Sequence, residues 1–273
     1  MVGGMRLSFV DYMQIPLFQR AILAALITGG TLSLLGVVIV TLNLTAIRFA
    51  LMHVGLLGAA IGLGLGASPL TGALVAIGAG SLLLGPWSDR MKMDTGLAGA
   101  FFMTGSMALA FLLFYKAGVP AMEAFALFTG NLLALAPAEL RFILAIGVII
   151  LLCFVAFYRE IQLVLYNQEL AESLGLPVAM VRNGLLFLTG LAIGLAIRVV
   201  GALLIDALIL LPGLSALSMA KDLRTALVLS SLFGILAAVG GFSISLFFDV
   251  PTGPTITLVG VTILGIVTVT KGR

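Results

Sequence analysis

Nine apolar stretches, at approximately 21–43, 50–66, 69–85, 97–115, 142–157, 183–197, 199–217, 226–248 and 255–270, carry no charged residue except Asp206. A bilayer-spanning helix needs ~20 mostly apolar residues, within a range of roughly 17 to 25. Backbone amides in lipid must be satisfied within the segment, so such runs fold as helices. Composition agrees: the 273 residues are 62% hydrophobic and 9% charged, where soluble chains run near about 25% charged. Mean hydropathy is +1.28. The 33 glycines suit close approach of membrane helices better than a water-soluble helical fold. The expected class is therefore an all-α integral membrane protein with eight or nine transmembrane helices.

Several stretches are short and separated by little more than a Gly-Pro break. Pro69, Pro86, Pro137, Pro177, Pro212, Pro251 and Pro254 are read as ends or breaks, because proline removes an amide donor and clashes with the preceding turn. Segment 121–137 is too short and interrupted for a span and reads as a re-entrant or interfacial helix. Residues 1–20 contain Asp11 and Pro16 and read as an interfacial lead-in rather than a cleavable signal. The whole of 1–273 reads as a single transmembrane domain with no internal repeat. Basic residues gather at Arg90 and Lys92, at Arg159 and Arg182, at Lys221 and Arg224, and at Lys271 and Arg273. All four groups fall on the cytoplasmic side if 121–137 does not cross, which puts the N terminus outside and loop 249–254 outward.

Other function classes drop out on residue inventory. One cysteine (Cys153) excludes a disulfide framework or a cysteine zinc cluster, and one histidine (His53) excludes a multi-histidine cage. No G-x-x-x-x-G-K-[ST] loop is present to cradle a nucleotide, and no nucleophile–base pair or metal-enzyme motif marks an enzyme. The net charge of +3 is scattered over helix ends, so it marks topology rather than nucleic acid.

Segment 158–182 holds five of the 25 charges and is the longest polar connection in the last two thirds of the chain. Gln162 to Leu174 can form a helix, with Gly175 as its stop and Pro177 preventing continuation. It is either a solvated loop or a docking element for a cytoplasmic partner.

Within it, Y-N-Q-E-L-A-E-S-L-G (Tyr166 to Gly175) resembles the F-D-x-E-x-A-x-x-x-G segment of the permease subunits of metal-ion ABC importers, the zinc/manganese/iron uptake family. Four further stretches agree in order. They are L-L-G-A-A-I-G (Leu56 to Gly62) after His53, L-F-T-G-N-L-L-A-L-A-P-A-E-L (Leu127 to Leu140), V-G-A-L-L-I-D-A-L-I-L-L-P (Val200 to Pro212) and F-D-V-P-T-G-P-T-I-T-L (Phe248 to Leu258). The resemblance implies a homodimeric or paired permease in the plasma membrane. A cytoplasmic ATP-binding subunit would supply the energy, and an extracytoplasmic solute-binding protein the cargo. It implies no cofactor in this chain, ATP being bound by the partner. Gln168, Glu169 and Gly175 then fall in the coupling helix that contacts the ATPase.

Ionisable residues inside spans are costly and are functional candidates by default. His53 and Asp206 are the two, read as pathway residues and as metal-binding candidates. The plainer readings are a hydrogen-bonded packing histidine and a carboxylate satisfied by a neighbour. Ala60 and Gly64 share the His53 face, while Gly55, Gly58, Gly62 and Gly66 form a stripe on the opposite face. Relatives in the resembled family usually carry an acid four positions before the histidine; here that position is Phe49. Phe102 stands near the place of their second histidine, Leu42 and Asn43 replace arginines, and Asp206 stands where they carry Ser, Thr or an apolar residue. Met52, Met103 and Met107 read as packing residues, Arg198 as snorkelling, Cys153 as inert, and Trp87 and Tyr115 as interface anchors. The expected function is import of a divalent metal ion. The alternatives are a metal chelate or other small solute moved by the same architecture, and a self-sufficient proton- or sodium-coupled transporter with Asp206 as the coupling acid.

Overall fold

The computed structural model describes residues 15–91, 95–119, 137–200 and 202–271, and every regular element among them is a helix. In chain order these are α1 (Pro16–Thr41), α2 (Thr45–Gly64), α3 (Pro69–Met91), α4 (Thr95–Lys116), α5 (Pro137–Ala156), α6 (Tyr158–Tyr166), α7 (Gln168–Ser173), α8 (Val178–Val200), α9 (Ala202–Met219), α10 (Leu223–Phe248) and α11 (Thr252–Lys271). Six are long and apolar enough to cross a membrane: α1, α2, α4, α5, α10 and α11. Three further apolar segments are shorter, Pro69–Leu84 in α3, Val178–Gly194 in α8 and Ala207–Met219 in α9. The chain is a multi-pass membrane protein. The anticipated re-entrant segment 121–137 lies outside the described residues, apart from Pro137, which opens α5.

The helices form two groups joined by α8. In the first, α2 packs along α3 and α4. In the second, α1 lies against α10 and α9, and α9, α10 and α11 pack mutually. The bridging helix α8 touches α3 and α2 on one side and α9 and α5 on the other. A shared core of Leu35, Ile39, Leu51, Ile77, Ile193 and Ile209 runs between the groups. Lipid tails are as apolar as these side chains, so hydrophobicity alone does not hold the helices together; close packing does. The α1–α10 crossing shows how close that packing is. A Cβ on Gly29 would lie 2.5 Å from the Gly234 carbonyl oxygen and 2.9 Å from the Ala238 Cβ. There Ser230 donates a buried hydrogen bond of 2.7 Å to the Ser33 carbonyl oxygen. Gly58 of the anticipated stripe likewise abuts Gly72 of α3.

Two local readings change. Pro86 and Pro212 sit inside α3 and α9 rather than ending them; membrane helices tolerate proline when neighbours re-satisfy the freed carbonyls. Pro212 removes the amide that would bond the Leu208 carbonyl; one residue before the proline, the Leu211 carbonyl accepts a side-chain bond from Ser215 Oγ at 2.8 Å. The segment 158–182 begins with two helices, α6 and α7, where one was expected over Gln162 to Leu174. Asn167 adopts an extended conformation (φ −160°, ψ 113°) that ends α6. Its side-chain oxygen then accepts from the Leu170 amide at 3.0 Å and caps α7, as a helix N-cap does. The expected stop holds: Gly175 has φ +82°, a left-handed conformation only glycine adopts cheaply, and Leu176 closes the turn onto the Ala171 carbonyl at 3.0 Å.

Candidate functional site

His53 sits half-buried in the third turn of α2. Its Nδ1–H donates to the Phe49 carbonyl oxygen, one turn earlier, at 2.8 Å. A carbonyl only accepts, so this contact places the ring proton on Nδ1. In the uncharged ring the lone pair is then on Nε2, the nitrogen suited to a cation. The same bond is what a packing histidine would make.

Arg48 is the residue the sequence reading passed over. It is fully buried, 0% exposed, in the first turn of α2. Its guanidinium lies 4.3 Å above the Phe49 ring, and Nη1 is 3.9 Å from the Met52 sulfur. A planar, weakly hydrated cation stacks on an aromatic face better than an ammonium does. Met52 is therefore committed to packing on Arg48, which agrees with its reading as a packing residue. The available signal was a charged residue in an apolar helix. It was missed because position 48 falls just before the uncharged run at 50–66 and looks like a flanking charge.

Phe49 and Phe102, which replace the acid and the second histidine of the resembled family, are both half-buried against the core. Phe102 also meets Trp87 edge-on at 4.9 Å, and Trp87 stacks on Phe101 at 5.7 Å. Trp87 thereby ties α3 to α4.

Asp206 lies in α9 between the buried Ile205 and Ala207; its side chain is outside the described set. The helices carrying the two candidates belong to different groups. His53 is on α2, which packs on α3 and α4, and Asp206 is on α9, which packs on α1, α10 and α11, with α8 between them. Among the described residues no three His, Cys, Asp or Glu side chains cluster.

The segment 158–182 carries α6 and α7, which lie between α5 and α8. Ala171 is its anchor, buried with Val164 and Val178. Gln168, Glu169 and Gly175 are exposed around it, together with Leu170, Leu174 and Tyr166, the last 81% exposed. The elbow is short and capped, and its tip exposes apolar side chains.

The whole chain has known counterparts. It matches the ABC 3 transport family over residues 14–271. It is 28% identical over 265 residues to the manganese transport system membrane protein MntC of Halalkalibacterium halodurans, covering 97% of this chain and 91% of that one. It is 30% identical over 249 residues to the chelated iron transport system membrane protein YfeD of Yersinia pestis, covering 89% and 82%. It is 29% identical over 245 residues to the high-affinity zinc uptake system membrane protein ZnuB of Haemophilus influenzae, covering 86% and 91%. Among solved structures, a chain of PsaBC from Streptococcus pneumoniae in complex with Fab superposes with a TM-score of 0.84 at 27% identity, covering 95% of this chain and 94% of that one. With its fold and nearly its entire length matched, this chain belongs to the ABC 3 transport family of membrane permeases.

Proposed function

We propose that this chain is the permease subunit of an ABC importer in the plasma membrane, moving a metal ion of the manganese, zinc or iron class inward. The observation that carries the reading is the full-length match to relatives named for transport of those metals. The exposed elbow of α6 and α7 supports it, because a chain without a phosphate-binding loop needs a partner to hydrolyse ATP. In this reading the elbow seats on a cytoplasmic ATP-binding subunit through Gln168, Glu169 and the Gly175 turn. Two copies of the permease form the pathway, an extracytoplasmic protein delivers the cargo, and the chain itself holds no cofactor and performs no covalent chemistry. The shorter apolar segments of α3, α8 and α9 complete a set of eight or nine spans. His53 and Asp206 are the pathway residues, acting in succession from separate helix groups.

A specific observation favours a second cargo, a metal chelate. The acid that precedes the histidine in relatives is Phe49 here, so a bare dication would find no carboxylate one turn before His53. A metal that arrives with its own anionic ligands has less need of that protein carboxylate.

Reconstitution with the ATP-binding subunit in proteoliposomes tests both cargoes. Uptake of radiolabelled manganese, zinc or iron, free or as a carboxylate chelate, should require ATP inside the vesicle. Uptake that proceeds without the ATP-binding subunit would remove the importer reading. Uptake of the chelate but not the free ion would select the second cargo.

A further inference from the structure

Beside the elbow, and sharing Tyr166 with it, lies a groove of about 700 Å³ to which the transport reading assigns no ligand. It is bounded by Thr41 at the end of α1, by one face of α6, by Leu217 near the end of α9, and by the link into α10. Its walls are apolar, formed largely by Leu163, Leu217 and Leu223, and its rim carries Arg159 and Lys221. One acid, Asp222, also lines it. That carboxylate is already engaged: one oxygen accepts the Thr225 amide at 2.8 Å and the other the Thr225 hydroxyl at 3.0 Å, capping α10. Beside the groove, Lys271 at the end of α11 donates to the Ser218 carbonyl, adding a further cation next to Leu217.

The charge and the depth together point to one occupant. Thr41 ends α1 and Asp222 caps α10, two helices of spanning length, so the groove lies at the end of their apolar runs, where a spanning helix meets headgroups. An inorganic anion would satisfy the cations and leave the apolar walls wet. An acyl chain alone would leave the two cations balanced only by the single Asp222 carboxylate. A basic pocket between membrane helices at the interface suits an anionic lipid headgroup with its chains running along the apolar wall. We propose that this groove is a binding site for an anionic phospholipid, its phosphate held by Arg159 and Lys221 and its glycerol backbone lying over Leu163 and Leu223. The site abuts the elbow, so the lipid would brace α6, from which α7 projects. The inference requires only the membrane-spanning fold and stands whichever cargo is carried.

The full chain, purified in detergent, can be titrated with phosphatidylglycerol or phosphatidylethanolamine of matched acyl chains and read by native mass spectrometry. Phosphatidylglycerol should bind in preference. Its affinity should fall about fivefold in Lys221→Gln, and by about fivefold again in the double variant with Arg159→Gln. Lys116→Gln, which removes the same charge from the end of α4, should leave binding unchanged. Lys221 lies in an exposed link, so its variant reads the site even if the double variant does not fold. Equal affinity for the two lipids, or binding unaltered in Lys221→Gln, would overturn the proposal. Displacement of the lipid by millimolar inorganic phosphate would show a small-anion site instead. Displacement on adding the ATP-binding subunit would make the groove a protein-docking surface, and either result would overturn the lipid assignment.

Discussion

Gly29→Ala sets the intrinsic preference of a helix against the fit of two helices. Within a helix, alanine is favoured over glycine by about 1 kcal/mol. At the α1–α10 crossing the new Cβ would lie 2.5 Å from the Gly234 oxygen, 2.8 Å from its carbonyl carbon and 2.9 Å from the Ala238 Cβ. Carbon atoms prefer roughly 3.5–4.0 Å, so the helices must separate by about 1 Å to restore ordinary contact. Overpacking of this kind costs about 1–3 kcal/mol. The separation also stretches the buried Ser230–Ser33 hydrogen bond from its 2.7 Å, forfeiting part of the ~0.6 kcal/mol such bonds average in membranes. Set against the helix-preference gain, the net effect is a loss of up to about 2.5 kcal/mol, centred on about 1 kcal/mol. The same substitution at Gly105 or Gly265, where a Cβ would meet nothing within 4 Å, should keep the gain. Thermal denaturation of the detergent-solubilised protein should therefore move down for Gly29→Ala and up or not at all for the other two. A Gly29→Ala protein as stable as the unaltered chain would refute the close-packing account of this crossing.

Other outcomes follow from the elbow, the candidate pathway and the α10 cap. Gly175→Val forces a branched side chain into φ +82° and should abolish ATP-driven uptake and ATPase stimulation while the chain still inserts; Glu169→Lys should do the same by charge reversal, and normal coupled transport in both would remove the docking role. Asp206→Asn and His53→Ala should each lower metal uptake at unchanged expression, and their double variant should lose less than the sum if both act on one cation; full uptake in Asp206→Asn would exclude that residue from the path. Hydrogen bonds, foremost from the Thr225 amide, hold the Asp222 carboxyl below its usual range. A lowered folded-state pKa means that this stabilisation is fully present above the ordinary carboxylate value and is lost as the pH falls below about 4. Asp222→Ala should thus be less stable than the unaltered chain at neutral pH, and the gap should close in acid; a gap independent of pH would contradict the cap.

Where helices run was legible in the residues, because lipid forces any long uncharged segment to satisfy its own backbone and apolar runs admit little else. The Gly175 stop was equally readable, since only glycine occupies a left-handed turn cheaply. The break at Asn167 was not: the apolar pattern continues across it, and the choice between one helix and two was made by an asparagine oxygen taking the Leu170 amide. Arg48 shows the limit most plainly. A guanidinium at the edge of an apolar run has the same one-dimensional appearance whether it reaches the headgroups or folds back onto Phe49 and Met52. Likewise, Arg159 and Lys221 are far apart in the chain and share a groove only because α6 and the link between α9 and α10 end at one level. Local periodicity and turn chemistry act within a few residues and are written in the order of the amino acids. Burial, and the company a charge keeps, depend on which helices lie side by side, and that was decided by the glycine-lined crossings of α1, α2, α3 and α10.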